Sequence, residues 1–240
     1  MTALRQVARV ASVLGLLLAL AFVFVMEAAA GWGEGWTLRV GDVRDALLSL
    51  RQGAWPEDPT VLWTLLTHAF LHANLGHLLN NAALLWLFGL FLVPVVGNRG
   101  VVLVFLVTAV AGAAGFLAEQ FAMSERQMIG ASGAVSGLLG FYLLLAFRWE
   151  LPDAHAPPLS RPIPARQAAV VAIIATAMDF YVVVNRIPDG VAHSAHLGGF
   201  FGGLVLAGLL TTFFSSWQGF RTSAWGPRLA TLRLRGGRWR

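Results

Sequence analysis

The sequence predicts an all-α polytopic membrane protein, a bundle of six transmembrane helices, and three observations carry that expectation. Of its 240 residues 57% are hydrophobic and 12% charged, with a mean hydropathy of +0.69, whereas soluble domains carry roughly 25% charged residues. The apolar residues gather in long uncharged runs, not in the shorter periodic patterns of a water-soluble fold. Six runs of about 20 residues, the length that crosses a hydrocarbon layer of about 30 Å, fit within the chain and leave ordinary loops.

In chain order the runs are 10–26, 75–96, 101–118, 127–147, 168–184 and 191–214. The first follows Arg5 and Arg9 and is longer than a usual signal-peptide core. The small residues Ala28, Ala29 and Ala30 come after Glu27 with no obvious processed domain downstream, so this run reads as a membrane anchor. Gly97-Asn98-Arg99-Gly100 separates the second and third runs, and the proline-rich stretch 152–164 separates the fourth and fifth. Within the 31–60 loop, Val43, Ala46, Leu47 and Leu50 recur at i, i+3, i+4 and i+7. That spacing predicts a short helix, either interfacial or packed on the bundle. The chain then divides into a first helix with its outer loop (1–60), a core of five helices (61–215) and a basic tail (216–240).

All 17 basic residues are arginines, and the formal net charge is +5. Short cytoplasmic loops hold the positive excess of a membrane protein. With the N-terminus inside, the inner side collects Arg5, Arg9, Arg99, Arg148, Arg161, Arg166, Arg221, Arg228, Arg233, Arg235, Arg238 and Arg240. The outer side keeps Arg39, Arg44, Arg51, Arg126 and Arg186, interspersed with carboxylates. Both termini are therefore expected in the cytoplasm, with the tail against anionic lipid. Topology alone accounts for the arginine excess, so no nucleic-acid partner is expected. Trp32, Trp36, Trp55 and Trp63 are expected at the outer interface, and Trp149, Trp217 and Trp225 at the inner one. The arginine asymmetry and the lack of a transit-like N-terminus point to a prokaryotic cell membrane. Cysteine is absent, which excludes disulfides, thiolate zinc sites and a cysteine nucleophile.

Polar residues inside apolar runs are expensive and so mark candidate functional sites. His68 and His72 are four apart, as are His77 and Asn81, so each pair shares a helix face. Neither Asp nor Glu joins them and no H-E-x-x-H occurs, so no metal is expected. His68 and His72 suit a structural role in the outer loop, while two donors on one face, His77 and Asn81, suit a developing oxyanion. Ser132, in Gly130-Ala131-Ser132-Gly133, is placed at a helix N-terminus, where free N–H groups favour a negative oxygen. Gly133 and Gly137 on one helix, and Gly199 and Gly203 on the face of His196 on another, allow close approach. Such packing would bring Ser132 and His196 together at equal depth, the pairing that activates a hydroxyl nucleophile. His193 is the rival base. Asp179, inside the fifth run, either orients a histidine or simply lies near the interface.

Three segments together resemble the rhomboid intramembrane serine proteases: His68-x3-His72-x4-His77-x3-Asn81, Gly130-Ala131-Ser132-Gly133 and Ala195-His196-x2-Gly199-x3-Gly203. The resemblance covers roughly 61–211 and implies a rhomboid-like bundle with a serine–histidine dyad lacking an acidic third member. Ser132 would be the nucleophile and His196 the base and later the acid, with His77, Asn81 and the Ser132 N–H as oxyanion donors. The implied substrates are transmembrane segments of other proteins, entering sideways and cut near their outer end, with no metal or organic cofactor. Competing readings are a catalytically silent binder of membrane spans and a transporter relaying protons through histidines. Thr64 and Val93 stand where the family often has an Arg and a Glu that anchor the outer loop, and Ser136 stands where an aromatic residue often packs under the histidine. How that loop is held is left open.

Overall fold

The computed structural model describes residues 10–31, 33–123, 125–154, 161–216 and 233–234. Seven α-helices follow one another: α1 (Ala11–Ala30), α2 (Val40–Arg51), the single turn α3 (Thr64–Thr67), α4 (Leu75–Gln120), α5 (Ser132–Arg148), α6 (Ala165–Asn185) and α7 (His193–Ser216). Four of these, α1, α4, α6 and α7, are long and apolar enough to cross a membrane, and α5 is a shorter apolar helix of 17 residues. Two antiparallel two-residue pairs complete the described chain, β1 (Leu38–Arg39) with β2 (Gln127–Met128) and β3 (Trp149–Glu150) with β4 (Arg233–Leu234).

At 46 residues α4 would be about 69 Å long if straight, more than twice the hydrocarbon thickness. It is not one rod. Gly97 sits at φ 72°, ψ 174°, a conformation side chains resist, and divides α4 into arms 75–96 and 98–120. Contacts with α5 give the directions of the arms. In the first, His77 lies at Gly130 and Phe88 and Phe91 meet Tyr142 with ring centroids 5.8 and 5.9 Å apart. In the second, Thr108 Oγ1 donates to the Ala134 carbonyl at 3.1 Å, and Gly112 faces Gly133 further along. The first arm thus runs with α5 and the second against it. Asn98 at the turn accepts from Ser12 N and Ser12 Oγ at 3.1 and 2.9 Å, tying the reversal to the start of α1.

Glycine makes the bundle tight. A Cβ built on Gly199 would collide with the Gly133 carbonyl, one on Gly203 with the Gly137 carbonyl, and one on Gly140 with the Phe200 carbonyl. The second arm of α4 joins the same seam, with Gly112 facing Gly133, Gly115 facing Gly198 and Thr108 facing Gly137. By contrast α6 is peripheral, burying only Ala165, Ala168, Ala172 and Asp179.

Three expectations need correction. The fourth apolar run reads as opening near 127, with Ser132 at a helix N-terminus; α5 does begin at Ser132, and residues 127–131 lie outside it. Gln127 and Met128 are drawn into pairing with Arg39 and Leu38, and Gly130 at φ 118° interrupts the chain before the helix. Trp149, expected at the inner interface with its ring towards lipid or water, is instead buried in the protein. It leaves α5 in an extended conformation and is 1% exposed in the core, with the Arg148 guanidinium 5.6 Å from its ring centre. The 43/46/47/50 stripe divides, because Val43 and Ala46 are buried while Leu47 and Leu50 are exposed. Trp55 and Trp63 are exposed at 75% and 68%. Trp32, Trp217, Trp225 and the tail apart from 233–234 lie outside the described residues.

Among the described residues the main chain, not an Arg–Glu pair, holds the 31–60 loop. Beside the β1–β2 pairing, Val40 N donates to the Arg126 carbonyl at 2.9 Å. Leu38, Val40 and Val43 pack with Phe116, Leu117, Met128 and Ala195 in a second apolar cluster. Thr64 is buried and donates to the Val61 carbonyl at 2.6 Å.

Candidate active site

Ser132 is the first residue of α5, with Ala131 as N-cap, and the first intrahelical bond runs from Val135 N to the Ala131 carbonyl. The N–H groups of Ser132, Gly133 and Ala134 therefore have no partner within the helix and point out of its positive end. Ser132 and Ser136 are half-buried while Gly133, Ala134, Val135 and Gly137 are buried, so the serine face is the partly open one.

The segment before Ser132 is held by the histidine loop. Gly130 N donates to the His68 carbonyl at 2.8 Å. The His77 ring lies so close to Gly130 that a Cβ there would be 2.6 Å from its Cε1. Asn74 caps α4, accepting from His77 N at 2.9 Å, which fixes His77 in the first turn. His72 meets the His77 ring edge to face, centroids 5.0 Å apart. His68 and His72 are buried, and burial pushes both rings down from 6.5 to about 4. They are neutral packing groups at ordinary pH. Asn81, one turn after His77, is 1% exposed, and among the described residues its Nδ2 has no hydrogen-bond partner. A buried donor without an acceptor is costly, so this N–H is available to a ligand oxygen.

His196 lies in the first turn of α7. Its Nδ1 is 3.0 Å from Asp179 Oδ1, and that oxygen is 2.6 Å from His193 Nδ1. The other His193 nitrogen, Nε2, is 2.9 Å from Asp189 Oδ2. Ionised carboxylates only accept, so the network assigns donor N–H groups to both His193 nitrogens and to His196 Nδ1. His193 is thereby an imidazolium between two carboxylates, and its hydrogen bond holds the exposed Asp189 below the usual carboxylate range. Among the described residues His196 Nε2 has no hydrogen-bond partner. Both His193 nitrogens are taken up by carboxylates, at 2.6 and 2.9 Å, whereas only one His196 nitrogen is.

Backbone brings the serine and histidine helices together. Gly133, next to Ser132, packs on Ala195, next to His196, with a built Cβ only 3.1 Å from the Ala195 carbonyl. Among the described residues no hydrogen bond joins the Ser132 and His196 side chains. His77 is close enough to His196 for their charges to interact. Asp179, His193 and His196 are also the one group among the described residues whose ligand atoms converge, within 4.8 Å of one another, as for a cation. Mutual hydrogen bonding accounts for that convergence.

Sequence reasoning left the Asp179 partnership open and missed Asp189, and it passed over Gly112, Gly115 and Gly198. A carboxylate inside an apolar run was the available signal for Asp179. Nothing in the chain announced that Asp189, in an ordinary loop, closes on His193.

Fold and site define a class: a multi-pass α-helical membrane protein with a serine at a helix N-terminus, a carboxylate-backed imidazole on the helix packed against it, and a second imidazole against the loop that leads into the serine. Residues 59–213 match the rhomboid domain family, and the chain belongs to that family. It is 30% identical over 162 residues to the putative rhomboid protease YdcA of Bacillus subtilis, covering 67% of this chain and 69% of that one. It is 28% identical over 187 residues to the rhomboid protease GluP of the same organism, covering 78% and 32%. Rhomboid protease GlpG of Klebsiella pneumoniae matches at 33% identity over 94 residues, covering 38% and 33%. The chain thus spans about a third of the length of the latter two.

Proposed function

We propose that this chain is an intramembrane serine endopeptidase that cuts transmembrane segments of other membrane proteins near their outer end, with Ser132 as nucleophile and His196 as base. The two arms of α4, counted separately with α1, α5, α6 and α7, make six spans, with both termini in the cytoplasm of a prokaryotic cell. One observation carries the reading above the others. Ser132 opens a helix whose glycine face packs on the His196 helix, and His196 turns Nδ1 to Asp179, 3.0 Å away, which leaves Nε2 facing elsewhere.

In that reading Ser132 Oγ attacks the scissile carbonyl carbon while its proton passes to His196 Nε2. Negative charge moves to the carbonyl oxygen, where the free N–H groups of the first turn of α5, His77 and the unspent Asn81 amide offer hydrogen bonds. The C–N bond then breaks, His196 returns the proton to the leaving amine, and water releases the acyl group by the same route. Nucleophile–base contacts are often long in a free enzyme and tighten on the substrate. Helix-weakening residues in the substrate would ease exposure of its peptide bond. The test is cleavage of a single-span protein in detergent: wild type should cut and Ser132→Ala should not. Equal cleavage by both would overturn the proposal.

A further inference from the structure

We infer that Asp179 is a positioning residue for the base, the hub of a chain running Asp189, His193, Asp179, His196 that backs Ser132, so that the site works with a carboxylate third member. The inference rests on the reading of Ser132 as nucleophile and His196 as base.

Placement and charge arithmetic carry it. Asp179 is the only charged residue on the buried face of α6, otherwise Ala165, Ala168 and Ala172, and its side chain is 12% exposed. A carboxylate in such a position needs a partner, and it has two, both through Oδ1. Bonding to His196 Nδ1 fixes the ring orientation and the tautomer together, leaving Nε2 as the acceptor. Serine hydrolases use a buried carboxylate for this task on unrelated folds.

Counting charge explains the longer chain. With His196 neutral, Asp179, Asp189 and the His193 imidazolium sum to −1. When His196 takes the serine proton the four groups sum to zero. The network is thus complementary to the protonated base that forms during reaction, and His193 offsets one of two carboxylates that would otherwise sit close together. The charged or titratable groups around His196 are Asp179 from α6, His193 from its own helix and His77 from the first arm of α4, with Asp189 reaching it only through His193. The other two neighbours, α5 and the second arm of α4, face the start of α7 with Gly133, Gly112 and Gly115.

Steady-state cleavage across pH in detergent, with active sites counted by fluorophosphonate, tests this. Asp179→Asn should lower kcat by at least roughly tenfold, short of the about 10⁴-fold that acid–base catalysis as a whole supplies, and leave KM within about twofold. The acid limb of its kcat/KM profile should move to lower pH, because the imidazolium loses its carboxylate. His193→Gln should move that limb to higher pH, because a neighbouring cation is gone. A merely structural role would reduce the number of active sites and move neither limb. Wild-type kcat in Asp179→Asn, or limbs that stay put or shift together, would overturn the inference. Should Asp179→Asn fail to fold, the His193→Gln limb decides alone, an upward shift supporting the chain of groups and none refuting it. Ser132→Ala separates the two levels. Cleavage by that variant defeats the underlying protease reading, whereas an inactive Ser132→Ala beside a wild-type-like Asp179→Asn defeats only the positioning role.

Discussion

Six histidines occur in the chain, and four of the five in the described residues divide by their surroundings into three chemical kinds. His193 is fixed between two carboxylates, His196 has one nitrogen spent and one free, and His68 and His72 are neutral in the interior. The last pair makes stability depend on pH. Unfolded, each ring takes up a proton near pH 6.5; folded, only near 4, so between those values the unfolded chain binds more protons. Stability is whole above about pH 7 and falls as pH drops from 6.5 towards 4, at a slope of up to about 1.4 kcal/mol per pH unit per ring. Melting in detergent should show that fall, and His68→Gln should flatten it. A wild-type melting temperature constant from pH 7 to 4 would contradict neutral burial. Of these surroundings, the placement of His68 and His72 ahead of the helix that begins at Leu75 was legible in the sequence. The state of His193 was not, because it is set by Asp179, fourteen residues earlier, and by an exposed loop carboxylate.

Helices meet here through missing side chains. Gly199 faces a backbone carbonyl that cannot move aside as a flexible side chain would. Gly199→Ala should therefore cost at least the roughly 1–3 kcal/mol of an overpacked core and strongly reduce cleavage. Gly208 on the same helix has only Leu144 at 3.8 Å from its would-be Cβ, so Gly208→Ala should be neutral or raise stability by up to about 1 kcal/mol. Thermal melts of the two variants read the difference, and equal melting temperatures would sink the seam. The i, i+4 glycines were readable because that spacing repeats on a helix face. The pairing of Gln127 and Met128 was not, since their apolar run reads as continuous with the helix while their strand partner lies near residue 38.

The described molecule is a bundle laid down largely by hydropathy, so its apolar helices could be read, including the break at Gly97 that a run of apolar residues alone would hide. Burial of Trp149 and the outer loop's main-chain anchoring could not, because each depends on contacts between segments far apart in the chain. A cysteine-free chain makes the proposed orientation simple to test with single cysteines at exposed positions. In intact cells an impermeant maleimide should label Glu57→Cys and Glu125→Cys, and Arg161→Cys only after permeabilisation; the reverse pattern would invert the topology. The central claim is that Ser132 is an activated nucleophile. Its most direct measurement is reaction of the detergent-purified protein with a fluorophosphonate, with the adduct mapped by peptide mass. The account predicts one adduct, on Ser132, lost in His196→Ala and kept in His68→Gln. An adduct on another residue, or undiminished labelling of Ser132 without His196, would contradict it.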